Sequence, residues 1–272
     1  MIRRATAKWG SNFPRAAASA MDWQDEALVM GTRRQGETSV ILEAMTAGHG
    51  RHLGVVRGGR SHKLQPVLQS GNSLMVSWRA RLEEQLGTFV IEPVTLRAAN
   101  LMASEAALQG VSHLGHLLRL LPEREAFAGI YALALLICER LAGADHAAPL
   151  MAALELALLR ELGFGLDLSA CAITGAREHL AFVSPRTGRA VTAEAGHPWA
   201  GKLLRLPDFM ARAQALGEAG AVSQDELADA FTLTAHFLDQ NIYAPRGQDV
   251  PLARRRYVTL VTSGASLNEP AP

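Results

Sequence analysis

The sequence predicts an α+β protein in which a small closed β-barrel precedes an α-helical domain. Short apolar segments with glycine-rich connections fill the first third of the chain, and helical periodicity follows. The 272 residues are enough for two domains of ordinary size. We therefore expect residues 21–97 to form the barrel and residues 98–262 to form the helical domain.

Five segments rich in apolar and β-branched residues are predicted strands: residues 26–34, 38–46, 51–59, 74–80 and 87–94. Five strands in about 70 residues fit a small closed barrel. Pro93 has no backbone N–H to donate, so the last strand is predicted to stop or to lie at an edge there. The stretch Gly58–Gly71 has no strand pattern and is long for a loop, and such loops are usually functional or disordered.

After Arg97 the apolar residues recur at helical spacing. The predicted helices cover residues 103–121, about 124–142, 149–163, and about 223–243. In the first, one apolar face is expected to contain Leu108, Val111, Leu114, Leu118 and Leu121. Ser223 and Glu226 form a capping box at the start of the last helix. Residues 164–200 read as a loop-rich insert.

The net charge of +1 conceals an asymmetry. From residue 27 to residue 81, eight cations face two acids, which gives +6, whereas the chain from residue 82 onward carries −6. This pattern favours an anionic partner for the barrel. The candidate DNA-binding residues are Arg33, Arg34, Arg51, Arg57, Arg60, Lys63, Arg79 and Arg81.

Three of these cations surround a Gly-Gly pair in RGGRSHK (57–63), which we interpret as part of a mobile loop. Arginine binds phosphate bidentately, and the glycines would let the backbone approach a ligand closely. The alternative is that these cations form a solvated turn. Trp78 could stack on a base, although a single tryptophan in a strand is more often a core residue.

The two ends of the chain are predicted to lie outside the fold. Residues 1–20 carry four cations and no acids. They resemble a mitochondrial presequence, or they reflect a misassigned upstream start, which is the interpretation we favour. Residues 263–272 are expected to be a disordered tail. The longest apolar stretch, 126–138, is too short to cross a bilayer. Two cysteines, Cys138 and Cys171, suit a reducing, cytoplasmic location.

Two separated segments resemble the bacterial recombination mediator family RecO. ETSVILEAMTAGHGRHLGVVRGGRS (37–61) is similar to the family's amino-terminal signature, and LALLRELGFGLDLSAC (156–171) to its helix and following Gly-aromatic-Gly segment. The resemblance covers roughly residues 22–260. It implies an OB-fold that binds single- and double-stranded DNA, anneals complementary strands, and works with RecR and single-strand-binding protein to help load RecA. Arg119, Arg124 and Arg140 lie in helices that could receive the tail of that protein.

The insert departs from the family pattern. Many relatives carry a four-cysteine zinc site there, and Cys171 stands at the first ligand position. By spacing, Thr174, Thr192 and Ala195 stand near the other three, and these residues supply no thiolate. We therefore expect a degenerate zinc-finger-like insert held by loop packing, without metal. His179 and His197 remain alternative ligands for Cys171.

The sequence shows no enzyme signature. It has no Gly-rich phosphate loop with Lys-Ser/Thr, so we expect no ATP site, and no acid cluster suited to Mg²⁺. His113 and His116 lie one helical turn apart and suit a core or surface role. Arg254–Arg256 are expected at the polar end of a terminal helix. Two other classes stay open: a general single-stranded nucleic-acid-binding OB protein, and a protein–protein scaffold acting through the helical domain.

Overall fold

The computed structural model describes residues 21–82, 84–143, 147–211 and 222–263. Within these ranges, strands come first and helices follow, and the change falls between Thr95 and Ala98. The predicted α+β class is confirmed. The predictions for residues 1–20 and for residues 264–272 of the tail lie outside the described residues.

The strands of the amino-terminal part are β1 (Met21–Gln35), β2 (Ser39–Thr46), β3 (Gly50–Val56), β4 (Ser73–Ala80) and β5 (Thr88–Thr95). They form a closed barrel in the order β1-β2-β3-β5-β4. The first part of β1 pairs with β4 and the second part pairs with β2, with a bulge between Val29 and Gly31. The sheet closes on itself because β1 pairs with both β2 and β4, and β3 meets β5 at Val55 and Thr88.

Side chains alternate between the inside and the outside of the barrel along each strand, and those that point inward fill it. In β3, Gly50, His52, Gly54 and Val56 are buried, and the residues between them are half-buried. Val40, Leu42, Val76 and Phe89 belong to the same barrel core. Strand β5 continues through Pro93 and pairs with β3 at Thr88 alone, so Pro93 lies at an edge, as predicted.

The connection between β3 and β4 closes one end of the barrel, and we call residues 57–72 the plug. Leu68 is buried in the barrel core, and Leu64 packs beside it. The plug carries its own turns, because Leu68 N–H donates to Leu64 O and Leu64 N–H donates to Ser61 O, both at 3.0 Å. The expectation of a mobile loop is wrong, since apolar side chains anchor this segment.

The helices among the described residues are α1 (Ala98–Met102), α2 (Glu105–Leu118), α3 (Ala128–Ala142), α4 (Ala148–Glu161), α5 (Ala193–Gly196), α6 (Asp208–Ala211), α7 (Gln224–Leu238) and α8 (Leu252–Thr262). The predicted capping box is present: Glu226 N–H donates to Ser223 Oγ at 3.3 Å, and Ser223 N–H donates to Glu226 Oε2 at 2.9 Å. The predicted apolar face of α2 differs from the structure at one residue. Leu108 is 45% exposed, because it borders an open cleft beside Met102.

The insert between α4 and α7 contains a small sheet. Its strands β6 (Leu180–Val183), β7 (Ala190–Thr192) and β8 (Leu204–Arg205) pair in the order β7-β6-β8. Val183 and Val191 contribute to the helical core. The predicted loop-rich segment is therefore a compact unit that packs on the helices.

Three barrel residues belong to the apolar core of the helical domain, which is separate from the core inside the barrel. Leu28, Met30 and Met45 point outward from the barrel and join the buried cluster of the helical domain. Tyr131 on α3 donates its hydroxyl hydrogen to Glu26 O at 3.1 Å. These contacts attach the helical domain to the outside of the barrel.

Candidate nucleic-acid interface

Strand register places two predicted cations on one row around the outside of the barrel. Arg33 pairs with Ile41, which pairs with Val55. Val55 pairs with Thr88, and Thr88 pairs with Arg79. Because the barrel has five strands, the four steps from Arg33 to Arg79 run around most of its circumference. Ile41, the second residue of this row, is buried. Both arginines are exposed.

Three other predicted cations lie at the end of the barrel that holds the β1–β2 turn and the plug. Arg34 follows Arg33, and Arg57 lies two residues beyond Val55, at the start of the plug. Arg34 and Arg60 line a cleft of about 510 Å³ between the β1–β2 turn and the plug. Lys63 lies farther along the plug, and Arg81 directly follows β4. We call the seven cations Arg33, Arg34, Arg57, Arg60, Lys63, Arg79 and Arg81 together the basic face.

Arg60 has a structural task within the basic face. Its guanidinium donates to the carbonyl oxygens of Gly36 and Glu37, and its own N–H donates to Thr38 O at 3.0 Å. It therefore ties the plug to the β1–β2 turn. Arg79 has Asp22 Oδ2 at 3.5 Å, and both side chains are exposed, so solvent screens this pair strongly.

Arg51 points away from the basic face. Its Nη1 lies 3.0 Å from Glu43 Oε1 and 3.3 Å from Glu123 Oε1, and its Nε donates to Leu121 O. Arg119 pairs with the same Glu43 at 2.7 Å. These contacts join the barrel to the helical domain and neutralise the charge of Arg51. The sequence did not reveal this structural role, because the partners lie far away along the chain.

The glycines of the plug serve internal packing. A Cβ on Gly59 would lie 2.5 Å from Val40 Cγ2 and 3.3 Å from Leu68 Cδ1, so only glycine fits without displacement. Gly58 has φ 67°, in the left-handed region that favours glycine. Gly59 is thus explained by contact with the barrel core, independently of any ligand.

Trp78 and Phe89 lie in the interior of the barrel, and half-buried Trp23 packs against them. Trp78 is 2% exposed, and its Nε1–H donates to Leu86 O at 3.1 Å. Its predicted core role is confirmed. Buried His52 packs edge-on against Trp78 and Phe89. Desolvation, together with the charge of Arg124, lowers the pKa of His52 to about 4, so this imidazole adds no positive charge near neutral pH.

The four zinc-type positions of the insert come together as a hydrogen-bonded cluster. Cys171 Sγ accepts from the backbone N–H of Thr174 at 3.5 Å and of Thr192 at 3.4 Å. Ala195 N–H donates to Thr192 Oγ1 at 3.4 Å. Burial raises the pKa of Cys171, but the bonds donated by Thr174 and Thr192 outweigh it and lower that pKa to about 6. The described residues contain no group of three His, Cys, Asp or Glu placed to hold a metal.

Arg254 lies in the core of the helical domain, which corrects its expected place at a polar helix end. Its Nε and Nη2 donate to the two oxygens of Glu155 at 2.7 and 2.9 Å. His113 Nε2 lies 2.8 Å from Glu155 Oε1. Burial raises the pKa of Glu155, but the charge of Arg254 and the bond from His113 outweigh it and lower that pKa to about 2. An isolated buried arginine is too costly, so the partner on α4 explains the burial.

A groove of about 1390 Å³ lies between α3, α4 and the insert. Leu133, Leu136 and Leu156 form part of its apolar lining, and Arg160 and Arg177 stand on its rim among several carboxylates. The cations expected near such a site, Arg119 and Arg124, instead bind Glu43 and Gln85 O. Among the described residues, no helix has the length and apolar character needed to cross a membrane.

A closed five-stranded barrel with a cationic outer surface, joined to a helical domain, defines a two-domain protein of the OB class. Residues 21–96 match the family model for the Recombination protein O N terminal, and residues 106–249 match that for the Recombination protein O C terminal. The chain belongs to the RecO family, which places it in DNA repair and recombination.

Curated relatives agree with this assignment over most of the chain. DNA repair protein RecO of Methylobacterium nodulans is 53% identical over 245 residues, which cover 90% of this chain and 100% of the relative. The protein of that name from Methylocella silvestris is 54% identical over 238 residues, or 88% and 95% of the two chains. That from Chelativorans sp. is 52% identical over 252 residues, or 93% and 100%.

Proposed function

We propose that this chain is a cytoplasmic recombination mediator that binds single- and double-stranded DNA through the basic face of its barrel domain, residues 21–97. The observation that supports this proposal is the placement of exposed cations along one row and beside one end of the barrel. Phosphate binding needs positive charge spread along a path, and OB barrels bind oligonucleotides across one face. Arg51 stays outside the binding set, because Glu43 and Glu123 hold its guanidinium.

Strand annealing follows from the same surface. Two complementary strands repel each other through their phosphates, and a cationic surface lowers that repulsion while base pairing supplies the free energy. The proposal needs no bond chemistry and no cofactor. With RecR and single-strand-binding protein as partners, the chain would help to load RecA on coated strands; this part rests on family membership.

Annealing of complementary oligonucleotides tests the proposal. The test variant is R33A/R34A/R57A/K63A, which removes four exposed cations. Arg60 is left unchanged because its guanidinium ties the plug to the β1–β2 turn. The matched control is R186A/R246A/R255A/R256A, which removes four exposed cations outside the barrel. We expect the first variant to anneal at least about tenfold more slowly and the control to match the parent. Equal annealing by both variants would favour the scaffold class, whereas binding by the parent without annealing would favour a general OB binder.

The groove between α3, α4 and the insert is the proposed site for the acidic, apolar carboxy-terminal tail of single-strand-binding protein. Such a tail needs an apolar lining with cations beside it, and Arg160 and Arg177 supply them. A132E adds a carboxylate at an exposed position in the groove, and A228E adds one at an exposed position on α7. In a fluorescence anisotropy titration, A132E should weaken tail-peptide binding and A228E should not. Undetectable binding of the parent at high micromolar peptide would contradict this partner.

A further inference from the structure

Surfaces that bind single strands commonly hold bases by stacking them on aromatic side chains. Removing such an aromatic residue weakens binding by about five- to 150-fold per stacked base. Residues 21–97 contain three Trp, Tyr or Phe residues in all, namely Trp23, Trp78 and Phe89. The orientation of these three rings therefore decides whether the barrel can stack bases.

All three rings pack in or against the barrel core. Trp78 and Phe89 are 2% and 4% exposed. Trp23 is half-buried and packs against the same core, and its indole stacks with His49 at 4.0 Å and with Trp78 at 5.8 Å between ring centroids. Burial closes the rings of Trp78 and Phe89 to a base, and His49 covers the indole of Trp23.

The outer row offers a different kind of surface. Between exposed Arg33 and Arg79 it carries half-buried Val55 and Thr88, and Ile41, which is buried. Aliphatic and hydroxyl side chains support sugar and phosphate contacts but provide no flat platform for a base. The charges and the stacking groups of this barrel are thus separated, with the charges outside and the aromatic rings inside.

We infer that the barrel holds DNA by its sugar-phosphate backbone alone and leaves the bases free. This inference rests on the proposed DNA-binding function and specifies what the site recognises. It explains how one surface would take single and double strands alike, since both present phosphates. It also suits annealing, because a strand held by its phosphates keeps its base edges available for pairing.

Binding of a single-stranded thymidine oligonucleotide and of an abasic oligonucleotide of equal length and charge tests this inference. Both affinities are measured by fluorescence anisotropy at several salt concentrations. We expect the two to agree within about twofold and to share one salt dependence. Abasic binding weaker by tenfold or more would overturn the inference, unless the exposed Trp199 of the insert causes it.

The variant W199A separates these cases, because Trp199 is 55% exposed and lies outside the barrel. A preference for bases that persists in W199A overturns the inference, and one that disappears in W199A supports it, since the barrel then contributes no base contact. If the parent binds neither oligonucleotide, the proposed function itself fails, and the inference fails with it.

Discussion

Arg254 shows how one side chain can change its role between sequence and structure. It lies within an Arg-Arg-Arg run, a pattern typical of an exposed basic cluster, yet it is 5% exposed and bidentate to Glu155. Sequence alone gives no signal for this, because the partner lies 99 positions away on α4. His113 was predicted to have a core or surface role, and it is fully buried beside the same carboxylate.

The substitution R254A leaves the carboxylate of Glu155 buried without its guanidinium partner. Breaking a buried pair from one side costs about 3–5 kcal/mol, so we expect the free energy of unfolding in urea to fall by that amount. The neighbouring R255A removes an exposed arginine and should change it by less than about 0.5 kcal/mol. Equal stability of R254A and the parent would contradict the buried ion pair.

Gly59 gives a second prediction at the residue scale. In G59A the new methyl group would lie 2.5 Å from Val40 Cγ2, so we expect overpacking to cost about 1–3 kcal/mol in urea unfolding. G129A is the matched control, because nothing lies within 4 Å of a Cβ at that helical position. Alanine there should stabilise the protein by up to about 1 kcal/mol. A neutral G59A would mean that the plug does not press on the barrel core.

At the scale of elements, local sequence patterns predicted the strands and helices better than the connections between them. All five strands and the four predicted helices exist, since alternation and helical spacing depend on neighbours in sequence. The plug was misread because Leu64 and Leu68 are anchored by the barrel core, a contact that no local pattern shows. Helix α1 was missed because its five residues are too short to display periodicity.

The insert yields a prediction that can be tested by gain of function. The four zinc-type positions surround one point, so T174C/T192C/A195C would place four thiols together with Cys171. We expect elemental analysis to find about one Zn²⁺ per chain in this variant and far less in the parent, and a chelator should leave the parent folded. Stoichiometric zinc in the parent would contradict the account of the insert.

At the scale of the whole molecule, the barrel contributes residues to the core of the helical domain. Leu28, Met30 and Met45 of the barrel are buried among the helices, and Arg97 of the barrel donates to Glu139 of α3 at 3.3 Å. We therefore expect urea unfolding followed by tryptophan fluorescence and by helical circular dichroism to give one shared midpoint. Two separate midpoints would show that the domains unfold independently.

The asymmetry of charge was visible in the sequence, but its geometry was not. Counting gave eight cations in the barrel region, and strand register then placed Arg33 and Arg79 on one outer row. The same fold turned Arg51 toward the helical domain. Which cations share a surface depends on barrel closure, a long-range property that composition does not encode.

The salt dependence of DNA binding tests the central proposal most directly. With about four to six phosphates neutralised, the logarithm of affinity should fall against the logarithm of salt concentration with a slope of about −3 to −5. R33A/R34A/R57A/K63A should bind more weakly for every sequence, with a slope shallower by about 2 to 3, and R186A/R246A/R255A/R256A should keep the parent's slope. A folded R33A/R34A/R57A/K63A with the affinity and slope of the parent would contradict the assignment of DNA binding to the basic face.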